Sequence, residues 1–385
     1  MKTSLQFTIG ILLFGLAVLP AHAAFNSLYV FGDALSTTTN NTSGLSCYYG
    51  QRFSNGRVWV EVLAQRQGLT YDAAKNNSYY DHNSAELVTE LNSFTAPSDV
   101  TNDLFIVWVC NADTFDAASV PDTSNQWVAA INQAQTNHLQ IITNLYAKGV
   151  RTLILPNVVD ISEIPAFNAG TTLTNVEHAG CVDYNFAFSN TINQARALCP
   201  GLNIYAPDFF TLLNNVLTNA ASYGLTNALS SKGFSIDAYS DPALPILTLN
   251  GPGTNYIFWD PQDPTAKFHE VIADVVQQFI SPVQVSRITA FAGSNRLDVA
   301  NMPVGLNGFV DGCTNLAMAN WTAVQNITST NTTQSIFVPT PAPTNAPQFF
   351  VPADQGPFPP GPGGTPVVTA LEFYRLRFPF AWNWP

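Results

Sequence analysis

The chain has 385 residues, of which 46% are hydrophobic and 12% aromatic, a composition that builds buried cores and excludes intrinsic disorder. Its 26 acidic residues against 14 Lys and Arg leave a net charge of -12, with no basic stripe to meet nucleic acid or an anionic membrane surface. That length accommodates one large domain and a smaller one.

The first element in chain order is a leader. Lys2 gives a positive start, Leu5 to Val18 an apolar stretch and Ala21-His22-Ala23 a small-residue cleavage site, so residues 1–23 are expected to be a secretory signal peptide. Gln6, Thr8, Gly10 and Gly15 dilute the run below what a membrane span needs, and no later segment is long or apolar enough. The mature protein is therefore expected to lack a transmembrane segment and to be secreted, periplasmic or on the cell surface. In that oxidising setting Cys47, Cys110, Cys181, Cys199 and Cys313 permit a disulfide without specifying one. No Cys/His spacing resembles a zinc site, and no cofactor is expected.

From 24 to 281, short apolar runs alternate with helical periods. Strands are expected at 28–31, 104–109, 152–155 and 202–205, and helices at 57–66, 126–148, 182–198, 207–223 and 265–280. Such alternation predicts an α/β domain with a parallel sheet covered by helices on both faces, and a ligand site beyond the carboxyl ends of the strands. Gly32, Asp33 and Ala34 follow the first strand, and Asn111, Ala112 and Asp113 the second.

Five passages carry further information: LYVFGDALS at 28–36, SNGRVWVEVLAQ at 54–65, WVCNADTF at 108–115, LPNVVDISEIPAF at 155–167 and FWDPQDPTAKFHEVIADV at 258–275. In this order they resemble the SGNH/GDSL hydrolases, esterases and lipases of three-layer α/β/α fold. The resemblance implies a serine nucleophile after Gly-Asp, where this chain has Ala34. It implies an Asp and a His in the last block, where Asp260 keeps the Asp position and Asp263 takes the His position. It implies an oxyanion-binding Asn at Ala112, with Asn111 one residue early, followed by Asp113. A backbone N–H from a second-block glycine falls at Asp81 or His82, in NNSYYDHNS.

An alanine has no hydroxyl to attack an ester, and a carboxylate is a far poorer base than an imidazole for a serine. Removing a triad nucleophile alone costs on the order of a million-fold in other serine hydrolases. Ser36, two residues on, reads as a turn or helix cap. His82 is placed to approach the site from a loop, His269 to pack at a helix start, and His138 and His178 to lie on the surface. Asp33, Asp113, Asp260 and Asp263, with or without Asp81, are expected to converge at one strand-end cleft. There they share protons, bind a hard cation, or act as an acid/base pair on glycosidic bonds. The simpler reading makes Asp33 and Asp113 turn caps and Asp260 and Asp263 caps of the helix from 265.

After Ser281-Pro282 the pattern changes to short alternating runs at 287–291, 296–300, 334–338 and 371–378, predicting a small β-sandwich over 286–385 with a Pro/Gly-rich insertion at 339–366. Aromatics at Trp321, Phe349, Phe350, Phe358, Trp382 and Trp384 suit either sugar faces or core packing. Two functions stay open. One is an exported, catalytically degenerate protein of this family that keeps a cleft for an ester or glycan ligand. The other is an active hydrolase of ester or glycosidic bonds with a rearranged, aspartate-rich site.

Overall fold

Four parallel strands, β1 (Leu28–Gly32), β2 (Leu104–Trp108), β3 (Thr152–Ile154) and β4 (Asn203–Tyr205), lie side by side in that order in the computed structural model. It describes residues 25–119, 123–168, 173–291, 293–313, 320–339 and 373–378. The expected leader, all but Pro339 of the Pro/Gly-rich segment, and Phe349, Phe350, Phe358, Trp382 and Trp384 lie outside the described residues.

Every side chain of β2 is buried, as a strand covered on both faces requires. One covering pair is α1 (Trp59–Arg66) and α7 (Ala266–Ile280), which pack together. Phe268, Ile272, Ala273, Val276 and Ile280 form the helical stripe that α7 turns inward. The other layer is α4 (Ser124–Ala147), packed against α2 (Ser84–Ser93) and α5 (Leu173–Leu198). Gly180 in α5 sits against the Trp127 ring, which any Cβ there would overlap, so this glycine sets how closely the helices approach. The remaining helices are α3 (Cys110–Ser119) and α6 (Phe209–Thr218). The result is a three-layer α/β/α arrangement.

The C-terminal strands are β5 (Gln284–Phe291), β6 (Ser294–Ala300), β7 (Asn307–Cys313), β8 (Thr322–Thr328), β9 (Thr333–Pro339) and β10 (Phe373–Arg377). They form two antiparallel sheets, β5-β6-β9 and β10-β7-β8. Leu297, Val299, Val310, Ile336, Val338 and Leu376 make their common core, separate from that of the parallel sheet. At the junction, Arg66 pairs with Asp274 at 2.7 Å, donates to the Val304 carbonyl and accepts from the Val304 N–H.

Several elements depart from expectation. α2 and α3 were not anticipated, and α5 begins at Leu173 rather than near 182. The expected helix at 207–223 ends at Thr218 and is followed by a separate tight turn of helix at Ala220–Tyr223. All five cysteines are buried; the continuous α5 holds Cys181 far from Cys199 just beyond its end.

Candidate functional site

The cleft opens at the carboxyl ends of β1 and β2. Six of its wall residues are the motif positions Asp33, Ala34, Asp81, Asn111, Ala112 and Asp263. Gly32 makes the turn out of β1 possible, because a Cβ there would lie 2.7 Å from the Ser36 Cβ. The chain then continues the sheet pairing by one bond, from the Asp33 N–H to the Trp108 carbonyl at 3.2 Å. The Gly32 carbonyl also accepts from the Tyr79 N–H (3.2 Å) and lies 3.1 Å from His82 Nδ1, which fixes the NNSYYDHNS passage beside the motif.

Of Asp81 and His82 it is Asp81 that lines the cleft, beside Tyr80, with φ at +66°. This is the left-handed conformation that glycine favours and Asp tolerates, consistent with the glycine position of the second block. His82 does not approach the cleft. It is fully buried, stacks on Tyr79 with ring centroids 4.0 Å apart, and burial lowers its pKa to about 4.

The last block is held by the SNGR passage. Ser54 Oγ donates to the Pro264 carbonyl (3.0 Å) and Asn55 Oδ1 accepts from the Ala266 N–H (2.8 Å). Gly56 allows Ala266 to approach; its Cβ would stand 2.6 Å from that of Ala266. Thr265, not Asp260 or Asp263, caps α7, accepting from the Phe268 N–H. Asp260 instead closes its own turn, its Oδ1 accepting from the Gln262 and Asp263 N–H groups at 3.0 and 2.9 Å, while Oδ2 accepts from the Tyr48 hydroxyl at 2.8 Å.

The expected convergence of four or five aspartates is therefore corrected to three: Asp33, Asp81 and Asp263 line the cleft. Asp260 stands behind it. Asp113 is turned into the helical layer, accepting from the Ser84 N–H and the Tyr184 hydroxyl, both at 2.9 Å, with His138 Nε2 at 3.4 Å. His138 is thus a buried partner rather than a surface residue, whereas the His178 ring is half exposed beside Asp160. Among the described residues no three His, Cys, Asp or Glu side chains are grouped as a metal ion requires.

Burial governs the electrostatics. Asp33 is raised to about 7 by desolvation, against the Leu35 N–H at its Oδ1 (3.0 Å) and Asn111 Nδ2 at its Oδ2 (3.3 Å). Asp263 is held well above the usual carboxylate range, first by burial and then by the charges of Asp260 and Asp33. Asn111 spans the site: besides its bond to Asp33, its Oδ1 accepts from the Val159 N–H at 3.2 Å.

Apart from these polar groups, Gln262 and the Tyr80 hydroxyl, the wall is apolar, with Leu35, Ile164, Leu212, Leu213 and Ile272 beside several aromatic rings. No Ser, Thr, Cys, His, Lys or Arg is among the wall residues. Ser36 is fully buried and accepts from Trp59 Nε1 at 3.1 Å. His269 is enclosed in α7 with neither ring nitrogen bonded, and burial lowers its pKa to about 3. Among the described residues no Ser, Thr or Cys stands beside a His in the cleft wall.

The sequence profile of the family described as GDSL-like lipase/acylhydrolase matches residues 28–276. A GDSL esterase/lipase of Arabidopsis thaliana is 22% identical over 331 residues, covering 68% of this chain and 87% of its own. Lipase 1 of Photorhabdus luminescens is 24% identical over 179 residues, 43% of this chain. This chain spans only 27% of that lipase, and 41% of a second Arabidopsis GDSL esterase/lipase. Among solved structures, an acetylxylan esterase of Geobacillus stearothermophilus aligns at 12% identity with a TM-score of 0.39, over 68% of this chain and 96% of that one. A lipase from a goat rumen metagenome aligns at 11% identity with a TM-score of 0.40, over 66% and 96%.

Proposed function

This chain belongs to the GDSL-like lipase/acylhydrolase family, and from that premise we propose that it has given up acyl transfer and kept the cleft as a binding site for a ligand with an acyl or alkyl chain. One observation carries the proposal: the cleft wall holds Ala34 at the nucleophile position and Asp263 at the base position, and among the described residues it offers no Ser, Thr, Cys or His, its one hydroxyl being the Tyr80 phenol that donates to Gln262 Oε1 at 3.4 Å. Asn111 lies at the site, but its amide is engaged by Asp33 and Val159 rather than free to meet an oxyanion.

The apolar wall favours an ester or alkyl ligand over a glycan, whose hydroxyls need many more polar partners than this cleft presents. A rearranged aspartate catalyst finds less support, because Asp113 and Asp260 are held by Tyr184 and Tyr48 outside the cleft. The proposal includes export through the leader at 1–23. It also includes a division into a hydrolase-like domain (24–281) and a small β domain (286–385), supported by the two separate cores. No helix among the described residues is long and apolar enough to cross a membrane.

The test is hydrolysis of short p-nitrophenyl esters by the wild type, Ala34→Ser, and Ala34→Ser with Asp263→His. The wild type is expected at the uncatalysed rate and the double variant above it. Wild-type turnover that disappears in Asp33→Asn or Asp263→Asn contradicts the proposal and revives the aspartate catalyst.

A further inference from the structure

Elsewhere in this molecule some acids are answered by arginine, while others, such as the buried Asp237 and Asp260, are met by neutral donors. Arg375 and Arg377 meet Asp311, each at 3.0 Å. Arg52 meets Glu61 at 2.7 Å and Arg66 meets Asp274 at 2.7 Å. Among the described residues the cleft wall holds three carboxyls, Asp33, Asp81 and Asp263, and no Lys, Arg or His. Asp263 is the sharpest case. It is 3% exposed, and among the described residues no backbone or side-chain donor other than the Asp260 carboxyl reaches its oxygens. None of the described residues brings a positive charge to this cleft.

The rest of the wall is suited to an apolar cation. Tyr80, Trp108, Phe115, Phe209, Phe258 and Phe268 present rings, and an ammonium over an aromatic face gains attraction that a neutral head does not. A carboxylate head, as in a free fatty acid, would instead face the Asp81 charge and require Asp33 and Asp263 to stay protonated.

We propose that the ligand of this cleft is a cationic amphiphile, an alkyl or acyl chain ending in an ammonium group, with its chain along the apolar wall and its head among Asp33, Asp81 and Asp263. The proposal rests on the reading that the cleft binds rather than hydrolyses. Because burial keeps Asp263 and part of Asp33 protonated in the free protein, seating an ammonium drives a proton off a carboxyl into solvent. No covalent bond changes.

The experiment is titration calorimetry on the full chain with decylammonium, decanol and decanoate, each below micelle formation. Decylammonium is expected to bind at one site, about tenfold or more tighter than decanol, with decanoate weakest. In Asp81→Asn with Asp263→Asn, both isosteric, the ratio of decylammonium to decanol affinity should fall to about one. Decanol binding as tightly as decylammonium overturns the cationic assignment but leaves the binding cleft intact. A preference that persists in the double variant also overturns it, being general attraction to a chain of net charge -12. Failure of all three to bind overturns the binding cleft itself.

Discussion

Asp33→Asn gives the strongest handle on the site, because one group there has a shift large enough to read as stability. Asp33 is 4% exposed and its pKa rises from an ordinary 3.8 to about 7. The groups facing it are acidic or neutral: Asp113, Asp263, Asn111 and the Leu35 N–H, with His82 behind the Gly32 carbonyl. The folded state therefore holds a proton that the unfolded chain releases. The stability from that proton is complete below the unfolded pKa and is lost as pH rises toward the folded one. Across the whole window the loss is about 4 kcal/mol, and between pH 5 and pH 8 it is roughly 3 kcal/mol.

An asparagine keeps the acceptor for Leu35 but turns an amide toward Asn111, at a cost of about 1–2 kcal/mol. Asp33→Asn should therefore be slightly less stable than the wild type at pH 5 and more stable at pH 8. The assay is thermal or urea unfolding of both proteins across that range, followed by circular dichroism. If the two stability curves run parallel, Asp33 ionises normally and the electrostatic picture of the cleft is wrong.

Two further substitutions test neighbouring features. His269→Leu removes a buried imidazole with both nitrogens unbonded; since its folded pKa is lowered, stability is lost as pH falls below about 6.5, and the variant should gain about 2 kcal/mol on the wild type at pH 5 in the same unfolding assay. Arg66→Met strips Asp274 of its partner and the Val304 carbonyl of a donor, and should cost about 3 kcal/mol, with earlier proteolytic cleavage beyond Ile280. An unchanged melting temperature would mean that the junction contributes nothing.

The strands and the last helix were legible because their patterns are strong: LFIVW can only be a buried strand, and AKFHEVIADVVQQFI repeats its apolar residues at helical spacing. α2 and α3 were not, because SAELVTELNS buries little beyond Ser84, Leu87 and Leu91, and CNADTFDAAS is rich in poor helix formers held by tertiary packing. The site divides in the same way. Ala34 and Asp263 could be read from local motifs. The partners that draw Asp260 and Asp113 out of the cleft, Tyr48 and Tyr184, lie 212 and 71 residues away, and no local pattern announces them. The left-handed backbone of Asp81 left no trace in a sequence that lacks glycine there. Asn111 was visible only as a motif out of step by one residue.

Loss of acyl transfer with retention of the cleft meets its most direct test in the fate of a bound ester. The purified full-length chain is incubated with a neutral long-chain alkyl ester at equimolar and at hundredfold excess, and both protein-bound and free ester are quantified by mass spectrometry. The expected result is ester recovered intact, part of it bound at no more than one molecule per chain, with free acid no higher than in the protein-free control. Free acid accumulating beyond one equivalent per chain would contradict it, because a cleft walled by Ala34 and Asp263 would then be turning ester over.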